Sequence, residues 1–206
     1  MIKTRGFIFT FYLFIASYSI SQVELIDTQV MALDARIESA TAEGDPENSI
    51  PCLETNCRLT RRAIGTVDTQ VKIYFKRKDG MYFSEEEQRE IETFQAIMQK
   101  VELSIKTGSY TLQVNYYFDE IGELILAQED LTDMDYQCSS ISYYFNQQRI
   151  IHLKKTVWKY ERPNKKQTVE FDKITQENQL IGQTLLEEVG LLDNFLAAHY
   201  LFLIRR

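Results

Sequence analysis

The feature that most constrains this chain is a strand motif that recurs along it. "VKIYF" (71–75), "VNYYF" (114–118) and "ISYYF" (141–145) each place apolar side chains two residues apart. Strand side chains alternate between faces, so Val71, Ile73 and Phe75 share one face. Val114, Tyr116 and Phe118 correspond to them, as do Ile141, Tyr143 and Phe145. That face is the natural core side. The remaining aromatic of each copy, Tyr74, Tyr117 and Tyr144, points the other way. On the long strand "RIIHLKKTVWKY", His152, Trp158 and Tyr160 share that outward parity, opposite Ile151, Leu153 and Val157.

Around these copies the chain reads as an antiparallel meander. From Tyr110 to Phe171 the strands are "YTLQVNYYF", "ELILAQE", "SSISYYF", "RIIHLKKTVWKY" and "QTVEF", joined by short polar connectors. Upstream, "TVDTQVKIYF" alternates, and Asp79-Gly80 reads as its turn. Three helices complete the expectation. Residues 23–42 repeat Ile26, Val30, Leu33 and Ile37 at helical spacing. A middle helix follows Ser84, with Glu87 completing a capping box and Ile91, Phe94, Met98 and Val101 as its buried stripe. Its end is placed near Lys100, although residues 101–109 fit either helix or strand. The C-terminal segment from about Ile174 to Ile204 carries Leu185, Val189, Leu192 and Leu196 at helical spacing. A membrane tail is the alternative there, but Asp193, Asn194 and His199 interrupt the apolar run. The expected fold is α+β: about five to seven antiparallel strands, with N-terminal, middle and C-terminal helices packed mainly on one face.

The N-terminus reads as an export signal. Lys3 and Arg5 precede an apolar run from Phe7 to Ala16, and small residues lead to a cleavage point between Ser21 and Gln22. The run is shorter than the roughly 20 residues a bilayer span needs. The expected organisation is a signal peptide over 1–21 and one domain over 22–206, periplasmic or secreted, with no transmembrane span in the mature chain. The formal charge of −7 becomes more negative when Lys3 and Arg5 leave, which argues against nucleic acid as a partner.

Three cysteines are an odd count for an exported chain. "CLETNC" reads as a loop in which Cys52 and Cys57 form a local disulfide and Cys138 stays free. Pairing Cys138 with either of them is the alternative. Catalytic signatures are sparse. His152 and His199 lie in no metal-binding pattern, and no phosphate-cradling glycine loop or nucleophile elbow occurs. The run "DLTDMD" lacks the glycine and terminal glutamate of a calcium loop. No cofactor is implied. The acids between Asp119 and Asp135 and the bases between Arg149 and Lys166 are expected to neutralise one another on neighbouring strands.

The leader, the first helix and the "YYFDEIGEL" hairpin resemble uncharacterised secreted bacterial proteins built on a helix-flanked antiparallel meander. The resemblance covers residues 67–160 and implies a fold rather than an activity. The later copy departs from it, with "NQQR" in place of "DEIGE".

These observations lead to an expectation of a non-catalytic binding or interaction protein. Its ligand face would comprise Tyr74, Tyr117, Tyr144, His152, Trp158 and Tyr160, facing a protein, peptide or carbohydrate of the cell envelope. The same rings also serve as ordinary sheet formers if a helix covers them. Two alternatives belong to other classes: a cell-envelope hydrolase using carboxylates, and an assembly subunit docking through its C-terminal helix.

Overall fold

The computed structural model describes residues 22–40, 50–61, 65–84, 89–135, 137–159, 161–171 and 173–204. The leader over 1–21 and Tyr160 lie outside them. Helix α1 (22–40) is followed by eight strands: β1 (Cys52–Arg61), β2 (Gly65–Ser84), β3 (Arg89–Lys106), β4 (Tyr110–Phe118), β5 (Leu124–Asp133), β6 (Gln137–Asn146), β7 (Arg149–Lys159) and β8 (Arg162–Phe171). Helix α2 (Gln176–Ile204) closes the chain. The strands form one antiparallel sheet in sequence order, so every connection joins neighbours.

The turns are built from local chemistry. Asp119 Oδ1 accepts from the backbone N–H groups of Ile121 (3.0 Å) and Glu123 (2.8 Å), and Gly122 takes a φ of +90°. The "NQQR" turn differs, as its sequence suggests. Gln147 and Gln148 both sit at positive φ, the geometry of a two-residue hairpin that matches strand twist.

The repeated motif has a structural counterpart in three β-bulges. Tyr74 faces Lys100 while Phe75 faces Met98, leaving Gln99 as the extra residue of β3. Tyr117 and Phe118 face Leu126 and Leu124, leaving Ile125 extra on β5. Tyr144 and Phe145 face His152 and Ile150, leaving Ile151 extra on β7. A bulge sharpens local twist and re-aims side chains, here at the same level of every second strand.

Both helices cross the sheet at that level. Phe75, Tyr116, Phe118, Tyr143, Phe145 and Leu153 form the main core with Leu185 and Leu196 of α2. On the opposite face, Tyr117, Leu126 and Tyr144 pack with Ile26 of α1, joined by Val23, Val30, Leu33 and the bulged Ile125 and Ile151. The core parity read from the motif is therefore the parity observed. Three successive residues of β4 and of β6 are buried because a helix lies over each face.

Several expectations are corrected. The helices cover opposite faces rather than mainly one. Among the described residues there are two helices and eight strands, not three and five to seven. The expected middle helix is β3. Asp79-Gly80 is no turn but the interior of β2, which pairs with β3 as far as Ser84 opposite Arg89. Beyond the ends of β1 and β4, these two strands continue as a projecting ribbon. The segment expected to be a cysteine loop is the edge strand β1, paired with β2. None of the three cysteines forms a disulfide; Cys52 and Cys57 are exposed and Cys138 is buried. Five residues of extended chain separate Cys52 from Cys57 by about 16 Å and turn them to opposite faces, which no disulfide can bridge. The acidic and basic segments are not on neighbouring strands either, because β6 separates β5 from β7. Lys154 instead pairs across to Glu170 of β8 at 3.4 Å.

Candidate functional site

Four residues of the expected ligand face do share one row across the sheet. Tyr74 stands opposite Lys100, Lys100 opposite Tyr117, Tyr117 opposite Leu126, Leu126 opposite Tyr144, and Tyr144 opposite His152. Helix α1 lies along this row. Asp27 Oδ1 accepts from the Tyr144 hydroxyl at 2.9 Å. Asp34 accepts from the Tyr117 hydroxyl at 3.1 Å and from Lys100 Nζ at 2.8 Å. Arg36 donates to Gln99, the bulged residue of β3, at 2.8 Å. Tyr117 and Tyr144 are each 4% exposed, so their rings present no open surface. Tyr144 and His152 meet edge to face, with centroids 5.4 Å apart. Tyr74 is half-buried, and Trp158 lies further along the sheet with Lys166 Nζ 4.9 Å from its ring centroid.

Lys100 is the electrostatic centre of this row. Burial alone would lower its pKa, but its bonds to Asp34 and Glu102, each 2.8 Å long, outweigh burial and raise it. Burial, with Asp34 adding to it and Lys100 opposing, pushes Tyr117 up to about 12. The row next to it is polar across all eight strands: Glu54, Lys72, Glu102, Asn115, Gln128, Ser142, Lys154 and Glu170 stand successively opposite one another. An antiparallel sheet with one wet face requires such a row. A polar recess of about 320 Å³ opens here around Lys72, Glu102 and Asn115.

The α2 face behaves differently. The helix crosses the sheet obliquely, from the β6–β7 end to β1–β3. Gln179 anchors its start, donating to the Ile150 carbonyl at 2.8 Å and accepting from the Ile150 N–H at 3.3 Å. Gly182 lets α2 approach closely, since a Cβ there would lie 2.9 Å from Ile150 Cδ1. Towards its other end α2 leaves an apolar groove of about 390 Å³. Val71, Leu103 and Tyr116 supply the sheet side, Leu191, Leu192 and Phe195 the helix side, and Thr55 and Glu188 the polar rim. Further across the sheet, Leu131 of β5, Val157 of β7 and Val169 of β8 remain exposed.

Glu188 receives a 2.6 Å hydrogen bond from the Tyr116 hydroxyl. Burial first, then Glu188, raises the pKa of Tyr116. Glu129 lies in the same sheet row as Leu103, with Val114 between them. Burial, and secondarily Glu188, raises its carboxyl above the ordinary range. In the sequence Glu129 reads only as one acid of the tract between Asp119 and Asp135; its place opposite Val114 depends on the bulge at Ile125. Glu188 carries no signal either, because it sits on a helix whose crossing angle the sequence does not specify. Together these acids can accept hydrogen bonds and hold positive charge. Other acids serve the backbone: Asp133 Oδ1 accepts from the N–H groups of Asp135 and Gln137, both at 2.9 Å. Among the described residues, no cluster of three or more His, Cys, Asp or Glu could hold a metal ion. Nor is any described helix long and apolar enough to cross a membrane.

Comparison with protein-family models, with curated proteins and with solved structures finds no match to this chain.

Proposed function

We propose that this chain is an exported, non-catalytic binding protein whose binding surface is the groove between α2 and strands β1–β4. One observation carries the reading: α1 closes the aromatic row, whereas the α2 face keeps an apolar groove of small-molecule size open. Export rests on the charged and apolar leader over 1–21. The surface expected to use Tyr117 and Tyr144 is thereby moved to the opposite side of the sheet.

The test is titration of the mature protein with a neutral apolar fluorophore such as N-phenyl-1-naphthylamine. Saturable binding is expected. Leu191 lines the groove and is 71% exposed, so Leu191→Gln spares the core. Losing one apolar wall contact should weaken binding about tenfold. Absence of saturable binding in the wild type, or undiminished binding in Leu191→Gln, would refute the reading.

The exposed Leu180 on α2 favours a second reading, an assembly subunit that docks through that helix. Sedimentation of the wild type and of Leu180→Lys tests it: a change from oligomer to monomer is expected on that reading, and a wild-type monomer rules out self-assembly.

A further inference from the structure

We infer that the groove beside α2 takes an amphiphilic organic cation, its hydrocarbon or aryl body against Val71, Leu103 and Phe195 and its ammonium at the Glu188 end. This rests on the binding reading above and adds the charge and chemical class of the ligand.

The polarity of the groove is one-sided. Its floor and helix wall are apolar, and among the described residues its one carboxylate is Glu188, accompanied by Tyr116 and Thr55. The Tyr116 hydroxyl occupies one carboxylate oxygen of Glu188 and can donate to nothing else, leaving the second oxygen for a ligand donor. Glu129 adds a second carboxylate on this face, in the sheet row of the groove residue Leu103 with Val114 between them. Among the described residues, no Lys, Arg or His forms an ion pair with either acid. A neutral amphiphile would fill the trough but leave this end without a counter-charge. An anion would meet repulsion there. A cation with an apolar tail satisfies both ends, and the half-buried ring of Phe195 favours positive charge further. The net charge of −7 also draws cations towards the protein before contact.

The test uses dodecyltrimethylammonium, dodecyl maltoside and dodecyl sulfate, each below its micelle concentration, competing with the neutral fluorophore on the mature protein. The cation is expected to bind about five- to tenfold more tightly than the maltoside, the gain an exposed ion pair with some aromatic help provides. Added salt should narrow that margin. Glu188→Gln keeps an acceptor for Tyr116, and Glu129→Gln is nearly isosteric. Each should weaken the cation while leaving the maltoside unchanged, with near-ultraviolet circular dichroism verifying the fold. Equal binding of all three amphiphiles, or a cation preference that survives both substitutions, would overturn the inference while leaving the binding reading intact. If none of the amphiphiles and no neutral fluorophore binds, both fail.

Discussion

Raising the pH above 10 should unfold this protein cooperatively, because its buried phenols must keep their protons. Tyr117 and Tyr143 are each 4% exposed, and each is shifted from 10.0 to about 12. For Tyr143, burial is the main cause and Glu129 the second. The folded state therefore holds protons that the unfolded chain has already released. The associated stability is fully present below pH 10 and is lost as pH rises through about 12. Two pKa units correspond to about 2.7 kcal/mol per tyrosine. The two rings face opposite helices, so their effects should add to about 5 kcal/mol. A domain of this kind is stable by only about 5–15 kcal/mol. Lys100 acts in the same direction, since its folded pKa is also raised and its ion pairs weaken as it deprotonates.

The assay follows phenolate absorbance and near-ultraviolet circular dichroism together along an alkaline titration at fixed ionic strength. The buried tyrosines should ionise in one steep step that coincides with loss of tertiary signal. Tyr117→Phe should cost about 1 kcal/mol at neutral pH through its lost bond to Asp34. It should also remove about half of the alkaline loss. Smooth ionisation of every tyrosine near pH 10 with the fold intact would refute the placement of these rings beneath α1 and α2.

Asp34→Ala removes partners from both Lys100 and Tyr117. It should destabilise α1 by about 1–3 kcal/mol, less than a deeply buried pair because Glu102 still holds Lys100. Faster amide hydrogen exchange in α1 than in β4 would register it. Native thiol labelling should modify Cys52 and Cys57 rapidly and Cys138 only on unfolding, read by intact mass. Protection of Cys52 and Cys57 from labelling would contradict their exposure on β1. Gly182→Ala gains helix propensity but presses a methyl group against Ile150. Urea denaturation should show a net loss of about 1 kcal/mol, since overpacking outweighs the roughly 1 kcal/mol of propensity.

Much of the sheet was legible because alternation is a strict signal. Val114, Tyr116 and Phe118 share the buried side of β4 as their spacing predicts, and α1 follows the stripe of Ile26, Val30 and Leu33. The middle helix failed for an identifiable reason. Met98 and Val101 are three apart, which looks helical, but the bulge at Gln99 shifts the phase and brings both to the same face of a strand. The binding face failed differently. Parity placed Tyr117 and Tyr144 together, yet parity cannot say which face a distant helix will cover. That depended on acids such as Asp27 and Asp34, which look like solvent-facing residues of α1 until their tyrosine partners are known. The α2 groove was unreadable because it depends on the angle at which one helix leaves the sheet.

The aligned bulges make α1 a ruler for the sheet. Each bulge belongs to one hairpin unit, β2–β3, β4–β5 or β6–β7, and each turns an added side chain, Gln99, Ile125 or Ile151, towards α1. Six strands spaced about 4.8 Å apart span about 24 Å. Residues 22–40 as a helix are about 28 Å long. The helix therefore matches three hairpins in width and leaves little length for a fourth. A chain that gained another copy of this hairpin would need roughly two more turns of α1 to cover it, or would expose a tyrosine of the kind that is enclosed at Tyr117 and Tyr144.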